Sequence, residues 1–219
     1  MKTVELEALA LQCDRCRSCG LAADRQQVVV GRGNPLARLL LVGEAPGAEE
    51  DRQGQPFVGR SGQLLDQLLR DAGLDPQRDL YICNAIKCRP PGNRRPKPAE
   101  LAACRPWLER QIRLIDPRLV VVLGATALEA VLGVKGGITG LRGRWCEASA
   151  GPLVEALRGR RLMPLLHPSY LLRFARESEG SPRWLSRHDL VAVREALAAI
   201  PNGPSRCDSL TAVGGPPLP

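Results

Sequence analysis

The chain has 219 residues, of which 25% are charged and 3% are aromatic, and its formal net charge is +8, with arginine far commoner than lysine. This length fits one α/β domain more easily than two, and the charge suits a polyanionic partner such as nucleic acid, although a solvated basic surface would carry the same charge. No apolar run approaches the roughly 20 residues that cross a bilayer, and the N-terminus lacks a signal-peptide core, so we expect a cytoplasmic protein without membrane contact.

Hydrophobic periodicity predicts strands and helices that alternate along the chain. Short apolar runs rich in branched residues are typical of strands buried in a parallel sheet, and apolar residues three or four positions apart are typical of the helices that cover it. The predicted helices cover 3–12, 62–72, 98–115, a segment that starts at Ala125, and 185–199. The predicted strands cover 28–31, 39–42, 80–86, 119–124 and 161–166. This alternation indicates an α/β fold of one domain over 1–200, followed by a disordered tail, 201–219, rich in Pro, Gly and Ser.

The strand at 39–42 ends in the turn Gly43-Glu44-Ala45-Pro46-Gly47. Open α/β sheets place ligands at the carboxyl ends of their strands, because backbone N–H groups there are free to point into a crevice. An ordinary strand-to-loop turn is the alternative, since short glycine motifs recur by chance. The three carboxylates at 49–51 and the rare aromatic Phe57 follow directly, and they favour a binding crevice.

The cysteine spacing indicates a metal centre. Cys13, Cys16 and Cys19 form two overlapping C-x-x-C pairs, and Cys88 and Cys104 lie far downstream with fifteen residues between them. Eight cysteines in a reducing compartment do not form a disulfide framework, and the polar, proline-rich loop around Cys88 does not suit a thiol that only packs. Four thiolates could bind zinc or an iron–sulfur cluster, and spacing chooses neither the metal nor the position of Cys13 in the set. The cysteines assigned to packing or to the tail are Cys83, Cys146 and Cys207.

Five short motifs follow one another in a fixed order between residues 13 and 198. They are Gly43-Glu44-Ala45-Pro46-Gly47, Pro56-Phe57-Val58-Gly59, Asn84-Ala85-Ile86-Lys87-Cys88-Arg89-Pro90-Pro91, Cys104-Arg105-Pro106 and His167-Pro168-Ser169. Each motif alone is weak, but the ordered set closely resembles the iron–sulfur uracil-DNA glycosylases, family 4 of that superfamily. The positions of Leu21, Arg25 and Val28 after Cys19 fit the same family.

The resemblance implies a fold, a cofactor and an activity. The fold would be a three-layer α/β/α sandwich around a four-stranded parallel sheet. The cofactor would be a structural [4Fe–4S] cluster bound by Cys16, Cys19, Cys88 and Cys104. The activity would be hydrolysis of the N-glycosidic bond of uracil in single- or double-stranded DNA, which leaves an abasic site for base excision repair, by a protein expected to be monomeric. The alternative is a cluster-bearing DNA-binding relative with weak or no glycosylase activity.

The resemblance also assigns roles to three residues of the crevice. Phe57 would stack on the base, Asn84 would recognise the pyrimidine edge, and His167 would donate a hydrogen bond to the uracil oxygen as negative charge develops. The structural alternatives are a core phenylalanine, a buried structural asparagine and a capping histidine. A loop position between Pro and Gly, and an amide in an otherwise apolar strand, favour the functional roles of Phe57 and Asn84.

The carboxylates near the crevice offer two candidates for one role. The best-known uracil glycosylases carry a water-activating aspartate two residues after the first glycine of this motif, where this chain has Ala45. Glu44, or alternatively Glu50, could orient water or offset positive charge on the sugar. Gly43 and Ala45 are expected to contact the substrate beside them. We expect stabilisation of the leaving group to contribute most of the rate enhancement.

The expected DNA contacts lie around the rim of the crevice. Phosphate neutralisation by arginines gives affinity without sequence preference, and a leucine can fill the space that a flipped base leaves. For any single arginine, a solvated basic face is the alternative. The candidate phosphate contacts are Arg89, Arg94, Arg95, Arg142, Arg144 and Arg173, and the candidate wedge residues are Leu171 and Leu172.

Overall fold

The computed structural model describes residues 1–174 and 178–201 of the chain. Most of the tail predicted over 201–219, with Cys207, lies outside these residues. No helix in the described ranges is long and apolar enough to cross a membrane.

The described residues form one mixed sheet of six strands in the order β1-β3-β2-β4-β6-β5. The strands are β1 (Arg32–Gly33), β2 (Leu39–Gly43), β3 (Leu80–Asn84), β4 (Leu119–Leu123), β5 (Cys146–Glu147) and β6 (Arg161–Leu165). Strands β3, β2, β4 and β6 are parallel to one another, which confirms the predicted α/β class and its four parallel strands. The two-residue strands β1 and β5 extend the sheet as antiparallel edges, so the sheet has two strands more than predicted.

Helices cover both faces of this sheet. They are α1 (Lys2–Asp14), α2 (Ala48–Gln53), α3 (Arg60–Asp71), α4 (Pro98–Ile115), α5 (Ala125–Leu132), α6 (Ile138–Leu141), α7 (Val154–Leu157), α8 (Pro168–Leu171) and α9 (Pro182–Ala198). The five predicted helices correspond to α1, α3, α4, α5 and α9. The four helices of six residues or fewer are too short to show a helical period, and the sequence did not predict them.

The prediction of a strand at 28–31 is wrong. The first strand of the sheet is β1, which begins one residue later, at Arg32. Residues 28–30 are unassigned, and the backbone N–H of Val29 donates to the carbonyl of Lys87 at 2.8 Å. That partner lies beyond the end of β3, so this bond stands outside the regular ladder of the sheet. A run of β-branched residues predicts extended backbone but not which segment it pairs with.

Alternate residues of β2 point into two separate cores. Leu39 and Leu41 pack with residues of α3 and α9 on one face, and Leu40 and Val42 pack with residues of α4 and α5 on the other. A strand that is apolar at every position therefore lies between two helical layers, which gives the three-layer sandwich.

The register of the parallel strands brings four chain positions to one edge of the sheet. Gly43 and Asn84, the last residues of β2 and β3, are direct neighbours. The pairing of Leu123 with Leu165 places Gly124 close to the segment that leads to His167. Because all four strands end here, the loops that carry the predicted site residues converge at this edge.

Candidate active site and cysteine cavity

A crevice of about 400 Å³ lies at the carboxyl edge of the sheet. This volume is within the range of about 300–1,000 Å³ that is typical of small-molecule sites. The crevice brings together six of the predicted site residues, which are Glu44, Ala45, Glu50, Phe57, Asn84 and His167. The backbone of Gly43 lies beneath the side chains of Phe57 and Asn84.

The Phe57 loop is held in an unusual backbone conformation. Phe57 has a φ of 55°, in the left-handed region that a bulky residue rarely adopts. Arg32 donates to the carbonyl of Pro56 at 2.8 Å and to that of Phe57 at 3.3 Å. Gly62 allows the close approach, since a Cβ there would lie 2.0 Å from the carbonyl oxygen of Phe57. These contacts fix a strained loop that places the Phe57 ring against the crevice.

Asn84 carries a buried oxygen without a hydrogen-bond partner. The residue is 1% exposed, and its Oδ1 has no partner among the described residues. A Cβ at Gly43 would lie 2.5 Å from this oxygen and 2.4 Å from Cζ of Phe57, so only glycine leaves room for both side chains. An unsatisfied buried acceptor is costly, and here a ligand N–H could satisfy it.

His167 is held as a neutral hydrogen-bond donor. The backbone N–H of Ser169 donates to Nδ1 at 3.2 Å, and the Ser169 hydroxyl lies 2.8 Å from the same atom. Because Nδ1 accepts, the proton of a neutral ring is on Nε2. Desolvation by the surrounding protein lowers the pKa of His167 to about 4, although the charge of Glu50 acts in the opposite direction. The ring lies 6.0 Å from that of Phe57, centroid to centroid.

The two glutamates of the crevice differ in what their carboxylates contact. Glu50 is buried, and its oxygens accept from the backbone N–H groups of Gly47, Val58 and Gly59 at 2.9 to 3.1 Å. Its carboxylate therefore ties the first turn of α2 to the Phe57 loop. The carboxylate of Glu44 lines the crevice and has no hydrogen bond to any described residue. The contacts thus leave Glu44 as the carboxylate available to water or substrate.

Most of the predicted phosphate contacts are already engaged within the protein. Arg94 makes a bidentate pair with Glu100, at 2.6 and 2.9 Å. Arg95 pairs with Glu129 at 2.5 Å, and Arg89 donates to Asn93 at 2.7 Å. The structure does not support Arg142 as a DNA contact, because its half-buried guanidinium pairs with Asp189 and donates to the carbonyl of Leu185. Arg144 and Arg173 are exposed and have no ion pair among the described residues.

The structure also corrects the predicted wedge. Leu171 is 1% exposed and belongs to the core that contains α3 and α9, so it could not enter DNA without leaving that core. Leu172 is partly buried at the edge of the same core. Tyr170 is 38% exposed and packs against Phe174 with ring centroids 5.1 Å apart. Among the described residues of this segment, Tyr170 is therefore the exposed large hydrophobic side chain, and Leu172 is the leucine that is only partly buried.

Sequence reasoning missed several residues that line the crevice. Ser61, Asn93, Thr126 and Ser169 all contribute to its wall. Ser169 belongs to the His167-Pro168-Ser169 motif, in which only His167 was given a role, and the other three follow no pattern that marks a site. Gly124 has a φ of +89°, and a Cβ there would lie 2.8 Å from Cβ of His167. A glycine directly after a buried strand was a usable signal for this close approach.

The cysteines of the two distant segments line one cavity. Its wall contains Cys13, Cys16, Cys19, Cys88 and Cys104, so the fold brings together the four predicted ligands and their competitor. No group of three or more His, Cys, Asp or Glu side chains in the described part of the chain is arranged to chelate a single metal ion. Cys13 is buried in a small apolar cluster of its own with Leu9 and Val30.

Two N–H groups donate to sulfur atoms of this cavity. Arg25 Nη1 lies 3.3 Å from Cys88 Sγ, and the backbone N–H of Lys87 lies 3.3 Å from Cys104 Sγ. Burial raises the pKa of Cys13 to about 12 and that of Cys104 to about 11, while the Lys87 ammonium acts in the opposite direction on both thiols. Thiolates in so buried a place require a cationic centre.

Comparison with known proteins places this fold and crevice in one superfamily. The family described as "Uracil DNA glycosylase superfamily" matches residues 30–191. The chain therefore belongs to the uracil-DNA glycosylase superfamily.

Individual relatives give the family within it. The chain is 47% identical to a type-4 uracil-DNA glycosylase of Thermotoga maritima, over 77% of this chain and 83% of the relative. It is 41% identical to that of Sulfurisphaera tokodaii, over 64% and 65% of the two chains. It is 38% identical to a type-5 uracil-DNA glycosylase of Thermus thermophilus, over 59% and 73%. The chain belongs to the type-4 family, which confirms the resemblance that the ordered motifs indicated.

Proposed function

We propose that this chain removes uracil from DNA by hydrolysing the N-glycosidic bond. The observation that carries the proposal is the buried Asn84 Oδ1, which lies in a crevice at the carboxyl edge of the sheet and has no partner among the described residues. Uracil offers an N–H to this oxygen and a carbonyl oxygen to the amide N–H₂ group, so a single asparagine can both accept from and donate to the pyrimidine edge. A base inside a duplex cannot reach such a crevice, so the nucleotide has to be flipped out.

The Phe57 ring would hold the face of the flipped base. Its loop is fixed before substrate arrives by Arg32 and by the Glu50 carboxylate. A rigid aromatic surface stabilises a flipped base at little entropic cost.

His167 would stabilise the leaving group. The Ser169 N–H holds Nδ1 as an acceptor, which leaves Nε2–H to donate to the uracil oxygen on which negative charge develops. A neutral imidazole with a lowered pKa can act as such a donor. The oxygen gains charge only as the bond breaks, so this hydrogen bond strengthens in the transition state and increases the rate.

Glu44 would supply the negative charge on the opposite side of the reacting bond. Among the residues that the structure describes, its carboxylate is the one in the crevice without an internal partner, so it can orient the attacking water or offset positive charge on the sugar. Ala45 provides no general base. His167 would therefore contribute a larger share of the rate enhancement than it would in a site that contains the water-activating aspartate at this position.

The cysteine cavity would hold a [4Fe–4S] cluster through Cys16, Cys19, Cys88 and Cys104. The donor set fits, because thiols from both segments line one cavity with N–H donors to Cys88 and Cys104, and such N–H···S bonds are common around iron–sulfur centres. The bound cluster would have a structural role. It would join the N-terminal segment to the loop between Cys88 and α4, whose residues Asn93 and Arg94 line the crevice.

The DNA itself would lie across the rim of the crevice. Arg144 and Arg173 have exposed guanidiniums that can contact phosphate, and Leu172 or Tyr170 would fill the space left by the flipped base. Arg89 would contribute positive charge from its present position, whereas Glu100 and Glu129 offset the charges of Arg94 and Arg95. A monomer that works in the cytoplasm and accepts single- or double-stranded DNA remains our prediction.

The test is incubation with oligonucleotides that are identical except for one uracil, thymine or cytosine, followed by alkali cleavage at abasic sites. We expect cleavage at uracil alone. An absence of cleavage at every salt concentration, with binding of the uracil oligonucleotide retained, would instead establish a DNA-binding relative without glycosylase activity.

A further inference from the structure

Lys87 is a buried cation between the crevice and the cysteine cavity. Its side chain is 0% exposed and is the largest of the fully buried side chains in the described residues. Its Nζ donates to the carbonyl oxygen of Asn84 at 2.6 Å, and the residue also lines the cysteine cavity. Within residues 1–174 and 178–201, the ammonium forms no ion pair with a carboxylate.

A buried ammonium needs compensation. Burying a charge without an anionic partner is strongly unfavourable, and one carbonyl dipole offsets only part of the loss of hydration. Lys87 lines the cysteine cavity and also contacts the buried thiol of Cys83, so thiolates bound in that cavity are the candidate anionic partners of its ammonium. Four thiolates outnumber the positive charge of an iron–sulfur core, so the bound centre carries net negative charge.

We propose that Lys87 is a positioning residue that supplies the counter-charge of the cysteine-bound centre and fixes the end of β3 relative to it. The ammonium is attracted to the centre and, through its hydrogen bond, holds the backbone of Asn84, whose side chain faces the base. The link to uracil rests on the proposed function. The electrostatic part requires only that the centre is present.

Two substitutions separate charge from hydrogen bonding. Lys87→Gln removes the charge but keeps a donor for the Asn84 carbonyl, and Lys87→Met removes both. The control is Lys135→Met, because Lys135 is exposed and lines neither cavity.

The first measurement is the reduction potential of the iron-loaded protein, followed by electron paramagnetic resonance. Loss of a nearby positive charge makes reduction less favourable. We expect both Lys87 variants to shift the oxidised-to-reduced ratio at fixed potential by about tenfold or more toward the oxidised form, which is about 59 mV for a one-electron couple. Lys135→Met should match the wild type. A wild-type potential in Lys87→Gln would overturn the proposal.

The second measurement is single-turnover uracil excision at saturating enzyme, with binding to uncleavable DNA measured alongside. Lys87→Met should lower the rate more than Lys87→Gln, with DNA affinity unchanged for both, because only glutamine still holds the Asn84 carbonyl. Equal rates in Lys87→Met and the wild type would refute the positioning role. A wild-type protein that excises no uracil would refute the proposed function. The reduction potentials of the Lys87 variants would still test whether Lys87 supplies the counter-charge of the centre.

A third measurement needs no Lys87 variant to fold. The chain has four lysines, so ¹³Cε-lysine labelling of the iron-loaded protein, reduced by one electron with dithionite, gives four side-chain signals. We expect one signal to relax markedly faster than the other three, because the unpaired electrons of the centre act on a nucleus beside it. Similar relaxation of all four signals would show that Lys87 is not next to the centre.

Discussion

His167 illustrates how a single side chain is fixed for one task. Its ring is desolvated by protein, and Ser169 selects the tautomer. Asn84 illustrates the converse, since its buried side-chain oxygen is left without a partner in the described part of the chain. Both residues carry a cost in the free protein that a bound base would relieve.

Replacing His167 by alanine should affect the chemical step and not DNA binding. If its hydrogen bond forms mainly in the transition state, His167→Ala should lower single-turnover uracil excision by about 10² or more. Rapid-quench assays at saturating enzyme measure the rate, and binding to an uncleavable oligonucleotide measures affinity. A full single-turnover rate in the variant would remove His167 from the mechanism.

The lowered pKa of His167 also predicts how stability depends on pH. The folded ring binds fewer protons than the unfolded one between about 4 and the ordinary value of 6.5, so the free energy of unfolding should fall as the pH is lowered through this window. His167→Ala should lack this part of the dependence. Urea unfolding of both proteins from pH 4 to pH 8 tests it, and parallel curves would contradict it.

Gly43→Ala tests the close packing at the floor of the crevice. The new Cβ would lie 2.4 Å from Phe57 Cζ and 2.5 Å from Asn84 Oδ1, so both groups would have to move. A displacement of about 1 Å can cost about 10² in rate, and we expect a loss of that order in excision. Gly140→Ala is the control, because its Cβ would meet nothing within 4 Å.

At the scale of elements, the end of α8 separates a fully buried leucine, Leu171, from a partly buried one, Leu172. Leu171→Ala should lower the free energy of unfolding by about 2–5 kcal/mol, as expected for a buried leucine. Leu172→Ala should cost less stability but weaken base flipping, because its side chain lies at the edge of the core. Urea unfolding and the fluorescence of 2-aminopurine beside uracil measure the two effects. If Leu171→Ala instead weakened base flipping with little loss of stability, Leu171 would again be the candidate wedge.

The elements themselves were predictable to different degrees. The range of α4 matches the predicted 98–115, because a long amphipathic period begins at a proline and ends at an Asp116 cap. The two-residue strands β1 and β5 were not predictable, because sheet edges of this length are defined by the neighbour they pair with.

At the scale of the whole molecule, the proposed cluster joins two parts of the chain that are distant in sequence. Cys88→Ala or Cys104→Ala should therefore remove absorbance at about 400 nm and lower the melting temperature, because metal binding is coupled to folding. Cys13→Ala should keep the iron, since Cys13 packs with Leu9 and Val30. Iron analysis and thermal unfolding of anaerobically purified proteins measure both. Loss of iron in Cys13→Ala would change the assigned ligand set.

The sequence by itself determined the α/β class, the family and the residue types of the site. Buried parallel strands are apolar at every position, and glycines, a lone aromatic and an amide stand out against such runs. The tertiary structure alone decided which of these residues act together. It showed that Glu50 braces a loop while Glu44 is free, that Leu171 and Arg142 are engaged inside the protein, and that Lys87 has no carboxylate partner in the described ranges. These properties depend on burial and on partners from distant segments, which a local pattern does not contain.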